Sequence, residues 1–130
     1  MIVVDASAIL EVLLGTPAGL RVMERLFAPA ETLHAPHLLD LEVVQVLRRY
    51  TFAGELSPTR GLEALEDLAE LPITRYPHDL LVPRIWELRG NLTAYDAAYV
   101  ALAEALTAPL VTRDAALASP RLHQAKVELL

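Results

Sequence analysis

The opening stretch Met1-Ile2-Val3-Val4-Asp5-Ala6-Ser7-Ala8 holds the strongest fold signal in the chain. Its residues 2–4 are three consecutive β-branched residues, the type that favours a buried strand. An acid and small residues follow, and Asp is a preferred residue at the N-cap of a helix. We therefore predict a short strand that passes directly into a helix, which is the first unit of an α/β fold.

The rest of the chain continues this alternation of strands and helices. Brief apolar runs predict further strands, namely residues 33–35, 73–75, 110–112 and 127–130. Apolar residues at helical spacing predict the helices, namely residues 10–14, 17–27, 37–50, 57–68, 79–88 and 93–106. In the helix that Ser57 caps, Leu62, Leu65 and Leu68 are expected to face inward. Strands separated by helices form a parallel sheet covered on both faces, so we expect the α/β class.

Length and composition narrow the class of protein further. The 130 residues, 54% of them hydrophobic, predict a single domain over residues 1–130. Cysteine is absent, which excludes a disulfide framework, a thiolate zinc site, an iron–sulfur cluster and a cysteine nucleophile. No apolar run approaches the roughly 20 residues that cross a bilayer, and the first residues lack a signal-peptide pattern. We therefore expect a cytoplasmic protein with no membrane partner.

The charge balance limits how this protein could hold a nucleic acid. There are 17 acidic and 11 basic residues, which leave a formal net charge of −6. This balance argues against binding a polyanion through overall positive charge. A nucleic-acid partner would need a local basic patch or bound cations.

Two acids follow closely on predicted strands. Asp5 comes directly after residues 2–4, and Asp114 comes two residues after the strand at 110–112. Ligands of α/β sheets collect at the carboxyl ends of the strands, so both carboxylates are candidate site residues. Each also precedes a predicted helix, and helix capping is the alternative interpretation of both.

Glu42 is a candidate because it interrupts an apolar stripe. Its neighbours one helical turn away on either side are apolar, and a buried carboxylate needs a partner. The alternative is that Glu42 lies at the edge of the stripe or pairs with Arg48 or Arg49. Asp40 lies about 200° around the helix axis from Glu42, and we predict that it is solvated.

Asp96 is the fourth candidate acid. It comes three residues after Thr93, which is the spacing of a capping box, so Asp96 complements the start of its helix. An acid in a first helical turn is also well placed to point across the end of a sheet. The two interpretations do not exclude each other.

Three or four carboxylates at one point repel each other and raise each other's pKa unless a cation binds them. Oxygen ligands without cysteine favour Mg²⁺ or Mn²⁺ over zinc. The histidines are dispersed along the chain and are expected to be surface or loop residues rather than ligands, namely His34, His37, His78 and His123.

Four spaced segments carry a wider pattern, namely residues 2–8 (IVVDASA), 36–44 (PHLLDLEVV), 95–104 (YDAAYVALAE) and 110–114 (LVTRD). In this order they resemble the PIN-domain ribonucleases, and in particular the VapC toxins of bacterial and archaeal toxin–antitoxin pairs. The resemblance spans nearly the whole chain, and the segment that begins at Tyr95 is its most specific part.

The resemblance implies a three-layer α/β/α domain with a mostly parallel central sheet, whose acids hold Mg²⁺ or Mn²⁺ and hydrolyse phosphodiester bonds in RNA. The family's acids fall on Asp5, Glu42, Asp96 and Asp114. Asp5, Asp96 and Asp114 would be metal ligands. Glu42 would bind the metal, directly or through water, or act as a general base.

Several neighbouring residues match secondary positions of the family. Ser7 and Thr112 match small hydroxyl positions beside the acids; the alternatives are a helix cap for Ser7 and an ordinary strand residue for Thr112. Gln45 departs from the Asn of many relatives, which puts only a supporting polar contact in doubt. Arg89 and Arg113 are candidates for contacts with RNA phosphates, and solvated surface arginines are the alternative.

The resemblance also implies two protein partners, a second copy of the chain in a homodimer and a cognate antitoxin that occupies the groove near the acids. The first two helices carry more apolar residues than a narrow core stripe needs, namely Leu10, Leu13, Leu14, Leu20 and Phe27. These residues either pack in the core or form part of a surface that pairs with another chain.

Two other functions are compatible with the sequence. The first is a non-catalytic RNA- or partner-binding protein that keeps the fold without the reaction. The second is an aspartate-based phosphatase in which Asp5 attacks phosphorus. Enzymes resembling the haloacid dehalogenases carry a second Asp two residues later, where this chain has Ser7.

Overall fold

A five-stranded parallel sheet forms the centre of the computed structural model, which describes residues 1–118 and 123–130. The strands are β1 (Ile2–Val4), β2 (Leu33–Pro36), β3 (Ile73–Tyr76), β4 (Leu110–Thr112) and β5 (Val127–Leu129). Their order across the sheet is β3-β2-β1-β4-β5. All three residues of β1 are fully buried, as their β-branched side chains predict for a central parallel strand. The predicted α/β class is confirmed.

Helices cover both faces of this sheet. They are α1 (Ala6–Leu13), α2 (Gly19–Leu26), α3 (Leu38–Phe52), α4 (Pro58–Glu70), α5 (Val82–Glu87), α6 (Ala94–Leu106) and α7 (Ala115–Ala118). Right-handed crossovers place α1 to α4 on one face, because the chain runs from β1 to β2 to β3 in one direction. The chain then runs back from β3 to β4, which places α5 and α6 on the other face. Helix α6 packs there against β1, β2 and β4, so the expected three layers are present.

The strand order creates a crevice at one edge of the sheet. After β1 the chain leaves towards β2, whereas β4 lies on the opposite side of β1. The carboxyl ends of β1 and β4 therefore form a topological switch point, the place where open α/β sheets bind ligands. Asp5 follows β1 and Asp114 follows β4, so the sheet topology places both acids at this crevice.

Three predicted helix starts are present with their caps. The Ser57 hydroxyl accepts a hydrogen bond from the Arg60 backbone N–H (3.1 Å) at the start of α4. The Thr93 hydroxyl accepts one from the Asp96 backbone N–H (3.1 Å) at the start of α6. Asp5 caps α1 through its own carboxylate. These caps satisfy backbone donors that have no partner within the helix.

Two expectations about the helices are wrong. Leu62 is 58% exposed rather than inward, because Gly61, Ala64 and Leu68 form the buried face of α4 and Leu62 lies about 100° away from that face. The single helix predicted at residues 79–88 is instead a 3-10 turn at Asp79–Leu81 followed by α5. Proline at the start of α5 lacks the backbone N–H that would continue the preceding turn.

The environments predicted for two polar residues are also wrong. Asp40 is not simply solvated, because Arg75 on β3 donates two hydrogen bonds to its carboxylate (2.8 and 2.9 Å). His34 is not on the surface or in a loop, because it lies in β2 with 7% exposure. Its ring nitrogens pair with the hydroxyls of Thr32 (2.8 Å) and Tyr76 (2.7 Å), and burial lowers the pKa of His34.

The additional apolar residues of the first two helices lie partly in the core and partly on the surface. Leu13 is buried, and Leu10 and Leu14 pack against the core. Leu20, on α2, is 70% exposed, and Phe27, directly after α2, is 44% exposed. Within residues 1–118 and 123–130, no helix has the length and apolar character needed to cross a membrane.

We predict that Gly19→Ala destabilises the fold by about 1–3 kcal/mol, the range for overpacking a tight contact. A Cβ at Gly19 would lie 2.4 Å from the Glu11 carbonyl oxygen, a backbone atom that cannot move aside without displacing α1. Gly90→Ala is the matched control, because a Cβ at Gly90 would meet nothing within 4 Å. Urea unfolding followed by circular dichroism measures both, and equal stability of the two variants would contradict this packing.

Candidate active site

The four acids singled out by the sequence line one cavity. Asp5, Glu42, Asp96 and Asp114 border an open cavity of about 450 Å³ at the carboxyl ends of β1 and β4. They arrive from four different elements: the end of β1, the middle of α3, the first turn of α6 and the segment after β4. The tertiary fold therefore brings together acids that are up to 109 residues apart in the chain.

Asp5 is the most buried acid of the cavity, with 5% exposure. Its Oδ1 accepts hydrogen bonds from the Ser7 hydroxyl (2.7 Å) and the Ala8 backbone N–H (3.1 Å), and its Oδ2 accepts one from the Thr112 hydroxyl (2.5 Å). Burial raises the pKa of Asp5, and the Asp114 carboxylate adds to the increase, while these hydrogen bonds oppose it. Asp5 is thus both a helix cap and a cavity residue.

Ser7 and Thr112 connect Asp5 to the segment that follows β4. The Ser7 hydroxyl accepts a hydrogen bond from the Arg113 backbone N–H (2.9 Å), and the Thr112 hydroxyl accepts one from the Asp114 backbone N–H (2.9 Å). Ser7 lies inside α1 and therefore is not a helix cap. Both hydroxyls hold the backbone of Asp114 in a defined position relative to the Asp5 carboxylate.

Glu42 is held by an aromatic hydroxyl rather than by an arginine. The Tyr99 hydroxyl of α6 donates a hydrogen bond to Glu42 Oε1 (2.5 Å), so the alternative in which Glu42 pairs with Arg48 or Arg49 does not apply. Burial raises the pKa of Glu42, and the nearby carboxylates of Asp5 and Asp96 add to the increase. This hydrogen bond joins helices from the two opposite layers of the fold across the end of the sheet.

Tyr99 is a cavity residue that sequence reasoning missed. It is 1% exposed and lies three residues after Asp96, so both side chains share one face of α6. Burial and the Glu42 carboxylate hold the pKa of Tyr99 well above its usual range, so the hydroxyl stays a neutral donor. The available signal was an aromatic residue in an otherwise alanine-rich helix, one turn after a candidate acid.

Asp96 and Asp114 are more accessible than Asp5. Asp96 is partly exposed in the first turn of α6, where its backbone is capped by Thr93. Asp114 is exposed, and its Oδ1 accepts a hydrogen bond from the Ala116 backbone N–H (2.9 Å) at the start of α7. The capping interpretation of Asp114 is therefore correct, and it is compatible with a place on the cavity wall.

The arginines near the cavity differ in how they are held. Arg113 lines the cavity, but its guanidinium donates to the Leu130 carbonyl oxygen (2.6 Å) and lies 3.7 Å from the Glu11 carboxylate. Arg89 lies over the Trp86 ring, 4.3 Å from its centroid, and is not among the residues described as lining the cavity. Arg49 lines the cavity from α3, although the sequence suggested it only as a partner of Glu42.

The donor set of this cavity suits a hard cation. Its carboxylates supply only oxygen ligands, which is the preference of Mg²⁺ and Mn²⁺. Mutual repulsion already contributes to the raised pKa values of Asp5 and Glu42, and a cation would relieve it. In the described part of the chain, no three His, Asp or Glu side chains lie close enough together to hold a metal ion. Mg²⁺ commonly binds through one or two protein carboxylates and keeps several waters, so a third close carboxylate is not required.

Comparisons with known proteins agree with this architecture. A model of the PIN domain matches residues 2–121. Ribonuclease VapC9 of Mycobacterium tuberculosis is 50% identical over 114 residues, which cover 88% of this chain and 86% of that protein. Ribonuclease VapC12 of the same organism is 42% identical over 130 residues, which cover 100% of this chain and 99% of that protein.

A solved structure shows the same fold. It contains VapBC2 from Rickettsia felis bound to a DNA fragment from their promoter, and the matching chain superposes with a TM-score of 0.73 at 14% identity. The match covers 99% of this chain and 98% of that chain. The sequence matches span most of this chain and include the segments that carry the four cavity acids. The chain therefore belongs to the PIN-domain family, and within it to the VapC ribonucleases.

Proposed function

We propose that this protein is a toxin of the VapC type, an endoribonuclease that hydrolyses RNA phosphodiester bonds with the help of Mg²⁺ or Mn²⁺. The observation that carries the proposal is the convergence of Asp5, Glu42, Asp96 and Asp114 on one cavity at the switch point of the sheet. Membership of the VapC ribonucleases supports the same activity. We expect this activity in the cytoplasm.

Asp5, Asp96 and Asp114 are the proposed metal ligands, and Glu42 is either a further ligand or the general base. The chemistry that a divalent cation would supply at these residues is activation of the attacking water and neutralisation of charge that develops on the phosphate oxygens. Burial raises the pKa of Glu42, which makes its carboxylate a stronger base than an exposed glutamate and suits a group that accepts a proton. The Tyr99 hydroxyl fixes Glu42 Oε1 and leaves the other carboxylate oxygen for the reaction.

Ser7 and Thr112 are positioning residues in this proposal. Their hydroxyls orient Asp5 and hold the backbone of the segment that carries Asp114. Such supporting hydrogen bonds commonly change metal affinity or activity by about 10- to 100-fold when they are removed. They take no direct part in proton transfer.

A cognate antitoxin is the proposed inhibitor. VapBC2 from Rickettsia felis, which shares this fold, has been solved as a complex with a promoter DNA fragment. The open cavity gives an inhibitor direct access to the acids, and its exposed carboxylate at Asp114 suits a basic side chain of the partner.

We predict that purified protein cleaves a mixed RNA pool with Mg²⁺ or Mn²⁺ and not with a chelator. Asp5→Asn and Asp96→Asn each lower the cleavage rate by more than about 100-fold, the upper end of the effect of losing an outer hydrogen-bond partner. Asp67→Asn is the matched control, because Asp67 is exposed on α4, outside the residues that line the cavity. Gel analysis of the RNA measures all of these rates.

The control and the variants must be folded, which circular dichroism checks. Intact RNA under every condition would contradict the ribonuclease proposal and favour a binding protein without the reaction. Cleavage that continues in the chelator would contradict the role of the metal. Trapping of an acyl phosphate on Asp5 would instead support the phosphatase alternative.

The raised pKa of Glu42 predicts a specific pH dependence of stability. In the folded protein, Glu42 keeps its proton at pH values above its ordinary pKa of 4.5. The contribution of this protonation to the free energy of unfolding is therefore fully present below pH 4.5. It is lost as the pH rises through the folded pKa. Without metal, we therefore expect Glu42→Gln to be more stable than the wild type at pH 7, and this advantage to disappear near about pH 4.

Urea unfolding in a chelator at both pH values measures this difference. Glu66→Gln is the control, because Glu66 is exposed on α4 and its replacement should change stability equally at both pH values. Added Mg²⁺ should stabilise the wild type more than Glu42→Gln, since the cation binds the charged carboxylate of the folded state. A pH-independent effect of Glu42→Gln would contradict the buried-charge explanation.

The homodimer remains a proposal, and the exposed apolar side chains of α2 offer a surface for it. Leu20 is 70% exposed and Met23 is 42% exposed on this helix. We predict that Leu20→Arg converts a dimer into a monomer in sedimentation velocity, whereas Leu62→Arg, at a similarly exposed leucine of α4, does not. A wild-type chain that sediments as a monomer would contradict the proposal.

A further inference from the structure

The cavity that would hold RNA carries an unfavourable charge for a polyanion. Five acids line it, namely Asp5, Glu11, Glu42, Asp96 and Asp114, against two arginines, Arg49 and Arg113. Bound cations offset charge at the acids themselves, but the strand must continue beyond them along the cavity wall. The arginines of that wall are therefore the groups available to bind its phosphates.

Most arginines of the described chain already have carboxylate partners. Those in ion pairs are Arg25, Arg60, Arg75, Arg84 and Arg113. Arg113 also donates a hydrogen bond from Nη1 to the Leu130 carbonyl oxygen, so part of its guanidinium is already used within the chain. Arg49 is exposed, and within residues 1–118 and 123–130 it is the cavity-lining arginine that makes no ion pair.

Helix α3 places Arg49 in line with Glu42. The two residues are seven positions apart, which is almost two helical turns, so they lie on the same face about 10 Å apart along the axis. Gln45 and Val46 line the cavity between them, and Tyr50 continues the wall beyond. The cavity wall formed by α3 is therefore acidic at Glu42, in the N-terminal half of the helix, and basic at Arg49, near its C-terminal end. A span of about 10 Å corresponds to about three stacked nucleotides of one strand.

We propose that Arg49 binds a backbone phosphate of the RNA a short distance along the strand from the cleaved bond, and that this contact sets the position of the strand over the acids. The inference rests on the proposed ribonuclease function. The planar guanidinium makes two parallel hydrogen bonds to phosphate oxygens, which fixes orientation as well as charge. Arg49 is a positioning residue, because it does not reach the reacting atoms.

Arg48 provides a matched control on the same helix. It is also exposed and has the same charge, but it lies over the Phe52 ring (4.7 Å) and is not among the residues described as lining the acidic cavity. Arg48→Ala and Arg49→Ala therefore change the net charge equally and differ only in position. Arg49→Lys keeps the charge and removes the two-pronged contact.

The test measures binding of a short fluorescein-labelled single-stranded RNA of randomised sequence by fluorescence anisotropy. Ca²⁺ replaces Mg²⁺ to limit cleavage, and salt is varied from about 50 to 200 mM. We expect Arg49→Ala to weaken binding by about tenfold and to reduce the slope of log K against log salt by about 0.7, the value for one phosphate contact on a single strand. Arg49→Lys should restore the slope, and Arg48→Ala should leave it unchanged.

Steady-state cleavage in Mg²⁺ supplies a second readout. Arg49→Ala should raise KM by about tenfold and leave kcat nearly unchanged, because a phosphate contact made equally in the bound and transition states affects binding alone. Equal effects of Arg48→Ala and Arg49→Ala on the salt slope, an unchanged slope in Arg49→Ala, or absence of RNA binding by the wild type would each overturn the inference.

The two proposals fail in different ways. If the wild type cleaves RNA and Arg49→Ala keeps its KM and salt slope, the inference is wrong and the ribonuclease function stands. If the wild type binds RNA with a slope that depends on Arg49 but never cleaves it, the function is wrong and the binding site stands.

Discussion

The buried carboxylate of Asp5 is the constraint on which the rest of the site depends. An ionised carboxylate with 5% exposure is tolerable only if it is hydrogen-bonded, and three donors from α1 and β4 surround it. Hydrogen bonds to charged groups contribute about 1.5–3 kcal/mol each, so this arrangement ties β1, the start of α1 and the end of β4 together. The hydroxyls of Ser7 and Thr112 also accept hydrogen bonds from the backbone N–H groups of Arg113 and Asp114, and so shape the cavity.

The second constraint is the repulsion between the acids that this arrangement brings together. Asp114 adds to the raised pKa of Asp5, and Asp5 and Asp96 add to that of Glu42. Such a site costs stability in the absence of a cation, as functional sites commonly do. The Tyr99 hydroxyl limits the cost at Glu42 by donating to one of its oxygens from the opposite layer of helices. If the proposed cation binds there, fold stability and cation binding depend on the same carboxylates.

The acids of the site could be predicted from their positions relative to the predicted strands and helices, whereas the side chains that contact them could not. Asp5 and Asp114 were found because strand ends of a parallel sheet meet at one edge, and Glu42 because an acid interrupts an apolar stripe. Tyr99 and Arg49 were missed as cavity residues, because their roles depend on which helix faces meet across the sheet. The error at Asp40 has the same origin, since its partner Arg75 is 35 residues away, on strand β3.

The sequence by itself determined the α/β class, the strand positions, the helix caps and the acids that a site would use. These features depend on local periodicity and on backbone chemistry within a few residues. Only the tertiary structure decided that four acids share one cavity, that Glu42 pairs with Tyr99 and that Arg49 makes no ion pair with the residues that the structure describes. These features depend on strand order and on the layer in which each helix packs, because side chains far apart in sequence meet only after the sheet has formed.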